Sequence, residues 1–185
     1  MARRKQITDE AALEAVARAM FRAGPDEFTL AAAGAEAGLS PATLLQRFGA
    51  KQQLIVRAVA HDNRRFEAML HSLPDATGAA AVIAVFRILT PDVRDTNAFA
   101  DQLLWLRQDM RDPQLNALAR ERFAALRAAV AERLPPLAVP PDVAARLVEA
   151  QWQGALNQWG IAREGSLADY ITESLAAWFT LVRKG

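Results

Sequence analysis

The sequence predicts an all-α protein of about nine helices, with a three-helix domain at the N-terminal end and a larger helical domain after it. Three observations carry that expectation. Apolar residues recur at three- and four-residue spacing almost throughout. Thr, Ser, Asp and Pro stand where helices would begin, and Gly or Pro where they would end. No apolar–polar alternation bounded by hairpin turns occurs, so no sheet is expected.

Taken in order, Leu13, Val16, Ala17, Met20 and Phe21 form one stripe of a first helix. Thr8 caps it, Asp9 and Glu10 suit its first turn, and Gly24-Pro25 ends it. A short helix, Leu30–Ala37, follows Thr29. Gly38-Leu39-Ser40 then makes a tight turn into a second short helix, Pro41–Phe48, with Ser40 as its cap and Pro41 in its first position. A long helix runs from about residue 51 to 70, with Leu54, Ile55, Ala58, Val59, Phe66, Met69 and Leu70 inward. Residues 79–89 carry Val82, Val85, Phe86 and Leu89, and residues 96–110 carry Phe99, Leu103, Leu106 and Met110, again expected to face inward. Asp112-Pro113 opens a helix bearing Leu115, Leu118, Phe123, Leu126, Val130 and Leu134. The prolines between 135 and 141 interrupt it. Helices at about 142–162 and 167–183 close the pattern, the last behind Gly165 with Ser166 and Asp169 as a capping pair. The expected division is residues 1–50 as the first domain, a connecting helix at 51–70, and residues 71–185 as the second domain.

Composition narrows the classes of function. The 185 residues include no cysteine, which excludes disulfides, thiolate metal sites and cysteine nucleophiles. Hydrophobic residues make up 52%, yet charges at 23% interrupt every stretch before it reaches the ~20 residues of a membrane span. The basic start leads into an amphipathic segment rather than an apolar signal core. A soluble, cytoplasmic protein with no membrane partner is expected. His61 and His71 have no ligand-spaced neighbour, and no Ser/His/acid set or glycine-rich phosphate loop is present, so neither metal, cofactor nor catalytic residues are expected. Net charge is only +1, but residues 1–65 hold ten basic against seven acidic residues, and residues 66–185 twelve against fourteen.

Helix, glycine-containing turn, helix is the layout of a helix-turn-helix, whose second helix enters the DNA major groove. In the second short helix Leu44 and Phe48 lie four apart and should face the core. That leaves Pro41, Ala42, Thr43, Leu45, Gln46 and Arg47 towards a groove. Gln46 can pair with an adenine edge, Arg47 with guanine or a phosphate, and Thr43 or Leu45 can touch a thymine methyl. Thr29, Ser40 and Lys51 lie near helix N-termini, where backbone N–H groups already favour phosphate. Arg3-Arg4-Lys5 could add contacts from an arm, although a solvated tail is the blander reading.

The run from Phe28-Thr29-Leu30 through Ala37-Gly38-Leu39-Ser40-Pro41, Thr43-Leu44, Phe48, Lys51 and Leu54 resembles the TetR family of bacterial transcriptional repressors. The resemblance spans about residues 8–70. It implies a homodimeric, sequence-specific regulator that binds a near-palindromic double-stranded operator and is released by a small apolar ligand. The chain departs from the family's usual pattern at Leu45, where an aromatic residue is common, and at Ala33-Gly34, where a large aliphatic residue and Ala are usual. The resemblance further implies a mostly apolar cavity in the second domain, with Phe86, Leu103, Leu106, Phe123 and Trp152 as candidate walls. It also implies a dimer interface on the last two helices, with Leu156, Trp159, Leu175, Trp178 and Phe179 as candidates. Two alternatives stand beside it: a helical protein-interaction module of the same fold that has lost DNA binding, and a small helical enzyme acting on an apolar substrate.

Overall fold

The computed structural model describes residues 7–90, 96–162 and 164–182, and these form nine helices and no strand. In chain order they are α1 (Asp9–Glu27), α2 (Leu30–Ala37), α3 (Pro41–Phe48), α4 (Lys51–His71), α5 (Ala79–Leu89), α6 (Thr96–Arg111), α7 (Pro113–Ala131), α8 (Pro141–Ala162) and α9 (Leu167–Val182). The arm at Arg3-Arg4-Lys5 lies outside the described residues. Among them, no helix is long and apolar enough to cross a membrane.

The helix starts are set by local chemistry. Thr8 Oγ1 accepts from Ala11 N at 3.2 Å, and Asp112 Oδ1 accepts from Gln114 N and Leu115 N at 2.8 and 3.0 Å. Ser166 Oγ accepts from Asp169 N at 3.1 Å and donates to its carboxylate at 2.7 Å. Each cap satisfies N–H groups that have no partner inside the helix, typically about 1 kcal/mol apiece. The first helix breaks at Gly24 (φ 70°, ψ 166°), and residues 25–27 add a short turn beyond the break.

The chain gathers into two compact units. One comprises the chain up to Phe66 together with Asp101–Glu121. Its core joins Leu13, Val16, Met20, Phe28, Leu44, Phe48, Leu54, Ile55 and Ala58 to Trp105 and Leu115. The sequence-based division assigned all of 71–185 to the second domain. The grouping of Asp101–Glu121 with the N-terminal helices follows from long-range contacts: Trp105 Nε1 donates to Met20 O at 3.2 Å, Gln52 Nε2 to Asp112 Oδ2 at 2.7 Å, and Asn63 Nδ2 to Leu118 O at 2.8 Å.

On α6 the expected inward stripe is outward, apart from Phe99, whose side chain lies outside those described. Leu103, Leu106 and Met110 are 41%, 39% and 70% exposed, whereas Trp105 is buried. Trp105 stands about 200° round the helix from Leu103 at 100° per residue. The spacing therefore identified a shared face correctly, but the single tryptophan on the other side is what meets the core.

The second unit comprises Glu67–Ala100 and the chain from Arg122 onward. In it α5 and α8 both pack on α9, burying Val82, Phe86, Val148, Ile171, Leu175 and Phe179. Arg133 is itself buried. It donates to Ala129 O at 2.8 Å and to Leu73 O and Pro74 O at 3.5 and 3.4 Å, and its carbonyl accepts from Gly78 N at 2.8 Å, fastening the segment that precedes α5.

Candidate nucleic-acid interface

The turn between α2 and α3 fixes the direction of the second helix. Gly38 adopts φ 64° and ψ 29°, a left-handed geometry that an L side chain rarely takes. Leu39 N then donates to Gly34 O at 2.9 Å and Gly38 N to Ala35 O at 3.4 Å, the paired bonds of a Schellman ending. Gly34 is needed for a separate reason. A Cβ there would stand 2.5 Å from Leu39 O, so the turn backbone occupies the space a side chain would fill. The Ala33-Gly34 departure is thus matched to the tightness of this turn.

Thr29 Oγ1 accepts from Ala32 N at 3.1 Å and caps α2. Ser40 Oγ accepts from Thr43 N at 3.1 Å and shares a 2.8 Å hydrogen bond with Thr43 Oγ1, so the Thr43 hydroxyl is tied to the cap. Leu44 is fully buried and Phe48 nearly so, which seats α3 on the core; each such side chain contributes about 1.5–3 kcal/mol. The opposite side of α3 is open. Pro41, Ala42, Leu45 and Gln46 are exposed, as are Thr29 and Ser40 beside it, and Thr43 is half-buried.

The two cations of the site are committed within the chain. Arg47 Nε donates to Asp9 Oδ1 at 2.9 Å, a terminal guanidinium nitrogen reaches the same oxygen, and the guanidinium lies 5.3 Å from the centroid of the Phe48 ring. Lys51 Nζ donates to Phe28 O at 2.6 Å and lies 5.3 Å from the Phe28 ring centroid. Lys51 straps the start of α4 to the residue before the Thr29 cap and keeps an exposed side chain. Neither Asp9 nor Phe28 was a sequence candidate. Asp9 reads from sequence only as a first-turn acid, and its partner lies 38 positions away. Glu36 accepts from Arg18 at 3.1 Å and Arg22 at 3.0 Å, tying α2 to α1. The Arg22 hydrogen bond, then that of Arg18, holds the Glu36 carboxyl below its usual range.

The candidate wall residues differ in burial and are divided between the two units. Phe86 is completely buried, its ring centroid 5.2 Å from that of Trp152, whose Nε1 donates to Thr90 Oγ1 at 3.4 Å. Phe123 is half-buried. Leu103 and Leu106 are exposed and belong to the other unit. Two open clefts lie elsewhere. One of about 340 Å³ in the first unit is lined by Lys51, Gln52, Ile55 and Trp105, and one of about 270 Å³ in the second by Leu134, Pro135 and Val139.

Burial also separates the dimer candidates. Trp159, Leu175 and Phe179 are 4%, 0% and 2% exposed, consumed by the core of their own unit, and Trp159 Nε1 donates to Gly165 O at 3.3 Å. Only Leu156 and Trp178, both half-buried, still present surface. The most exposed apolar residues nearby are Leu181 at 74% on α9 and Ile161 at 86% on α8.

The all-α fold is similar to that of several solved transcriptional regulators. A transcriptional regulator from Rhodococcus sp. Rha1 is 17% identical and superposes with a TM-score of 0.77, over 96% of this chain and 97% of its own. A protein from Mesorhizobium loti MAFF303099, described as a TetR-family transcriptional regulator, is 17% identical with a TM-score of 0.65, over 94% and 95%. The regulator FadR from Bacillus subtilis, solved with stearoyl-CoA, is 11% identical with a TM-score of 0.62, over 91% and 96%. No protein-family model and no curated protein sequence matches the chain.

Proposed function

We propose that the chain is a TetR-type, sequence-specific DNA-binding regulator that acts in the cytoplasm as a homodimer and not as an enzyme. The observation that carries this reading is the seating of α3: Leu44 and Phe48 are held in the core while Pro41, Leu45 and Gln46 stand exposed beside the Ser40 and Thr29 caps. A two-turn helix presented in this way fits a major groove. Two copies would meet successive grooves ~34 Å apart on a near-palindromic operator. Thr29, Ser40 and Lys51 contact phosphates, and Thr43, Leu45 and Gln46 lie at the base edges, with Arg47 beside them in its pair with Asp9.

The second unit supplies the dimer contact through the outward side of α8 and α9, where Leu156, Trp178 and Leu181 keep apolar surface. It also takes a small apolar effector that releases the operator. FadR, with its bound stearoyl-CoA, supports an acyl or similarly greasy ligand class. An effector works here only through different affinity for the two dimer geometries, a coupling of about 1–3 kcal/mol. Trp152 with its Thr90 hydrogen bond is the side chain on which such a ligand would act.

The rival, an interaction module that has lost DNA binding, draws support from the internal pairing of Arg47 and Lys51. A gel shift with the region upstream of the chain's own gene decides between the two. A retarded band at low salt supports the regulator, and its absence there supports the module.

A further inference from the structure

The outward side of α3 is neutral. Its exposed residues are Pro41, Ala42, Leu45 and Gln46, and the basic residue in its last turn, Arg47, points its guanidinium at Asp9 on α1. The Arg47 side chain keeps 24% exposure and the Asp9 side chain 62%, so the pair lies at the surface beside the proposed groove face. An exposed pair of this kind contributes little to folding, so stability alone does not account for it. Its electrostatic effect on an approaching duplex is larger. It pairs the one basic side chain of α3 with a carboxylate that remains exposed.

We propose, on the footing of the DNA-binding reading above, that Asp9 is a specificity-determining residue. It withholds Arg47 from the duplex, so that α3 reads its site through Gln46 and Leu45 instead of gripping any sequence. A glutamine amide pairs with the N6 and N7 edge of adenine, and an alkyl side chain packs on a thymine methyl. Each half-site is therefore an A·T-containing step under Gln46 and Leu45. Arginine, by contrast, takes either guanine or a phosphate. Releasing it adds sequence-independent affinity and tolerance of G·C at that step.

The test is fluorescence anisotropy with the full chain and two duplexes across a salt series. One duplex is a mixed sequence several helical turns long, and the other is the strongest binder selected by the wild-type chain from a random pool. Asp9→Asn should tighten binding to the mixed duplex roughly three- to tenfold at low salt and steepen the log–log salt slope by about 0.9, the signature of one added phosphate contact. The ratio between selected and mixed duplexes should shrink. Asp9→Ala, which leaves no hydrogen-bonding group behind, should repeat the result, and Arg47→Ala placed in the Asp9→Asn background should cancel it. A gain that survives Arg47→Ala would come from carboxylate repulsion alone and overturns the inference. Unchanged affinity and slope in both Asp9 variants overturn it too while leaving DNA binding intact. Failure of wild type and variants alike to bind either duplex at the lowest salt removes the regulator reading itself.

Discussion

Gly34→Ala sets local propensity against tertiary geometry, and the two disagree in sign. In a helix interior Ala is favoured over Gly by ~0.8–1.0 kcal/mol, so propensity alone makes the substitution stabilising. The structure makes the opposite expectation. The added methyl would lie 2.5 Å from Leu39 O and 3.4 Å from Pro41 N, where ordinary contact begins at 3.4 Å, so the first approach is short by about 0.9 Å. The obstructing atom is backbone, held by the Leu39 N to Gly34 O hydrogen bond and the left-handed Gly38, and no rotamer change relieves it. Overpacking of this kind costs about 1–3 kcal/mol, which exceeds the helix gain over most of that range and leaves a net loss of up to about 2 kcal/mol. For a chain of this length each kcal/mol lowers Tm by about 2–4 °C. Because the displaced atoms lie immediately before Ser40 and Pro41, the start of α3 shifts with them, and duplex affinity should fall even well below the melting transition. Circular-dichroism melts paired with anisotropy at fixed salt measure both effects. A variant that melts higher than wild type and binds as well would refute the argument from close approach.

Three further perturbations follow from particular contacts. Lys51→Ala removes the hydrogen bond to Phe28 O, so Tm should fall by about 2–4 °C for a loss near 1 kcal/mol, and affinity should fall for every duplex with a shallower salt slope; calorimetry showing no change in Tm would mean the strap contributes nothing. Glu36 has its carboxyl held low by Arg22 and Arg18, so its stabilising effect is complete above the ordinary glutamate value and disappears as pH falls through the lowered folded one; Glu36→Gln should flatten that acid-side loss, and coincident acid-titration curves would contradict it. Trp178→Asp puts a charge on the outward side of α9, where the ring lies edge-on to Phe179 at 5.0 Å. Analytical ultracentrifugation should then show the dimer dissociating to monomer, and an unaltered sedimentation profile would remove α9 from the interface.

The legible parts of this molecule are those whose causes lie within a few residues of their effects. Thr29, Gly38, Ser40 and Pro41 announce the end of α2 and the start of α3 because capping and left-handed turns are settled by neighbours in sequence. The burial of Leu44 and Phe48 follows from their i, i+4 spacing on so short a helix. The state of the two cations was not legible in this way. Arg47 and Asp9 are 38 positions apart and Lys51 and Phe28 are 23 apart, and nothing in either local context marks the partner. Read from sequence both are ligands for DNA; in the fold both are first ligands for the protein. Their availability to a duplex is therefore a competition, decided by how weakly an exposed pair holds.

The helices after α4 fail to be legible for a different reason. Periodicity states which residues share a helix face, but not which object covers it. On α6 the apolar stripe of Leu103, Leu106 and Met110 is exposed because Trp105, on the other side, takes the core contact. On α9 the ambiguity is deeper, since apolar residues occur all round: Ile171, Leu175 and Phe179 face inward, while Trp178 and Leu181 keep exposed surface. A helix with two apolar faces is expected wherever one side packs on its own chain and the other on a second copy, and the two faces carry the same residue types. Tryptophan and phenylalanine signal apolar contact but not whether the contact is with the same chain or with a second copy. The burial of Trp159, Leu175 and Phe179 answers that for one face, and thereby moves the dimer hypothesis onto the other, where a single charge at Trp178 is enough to test it.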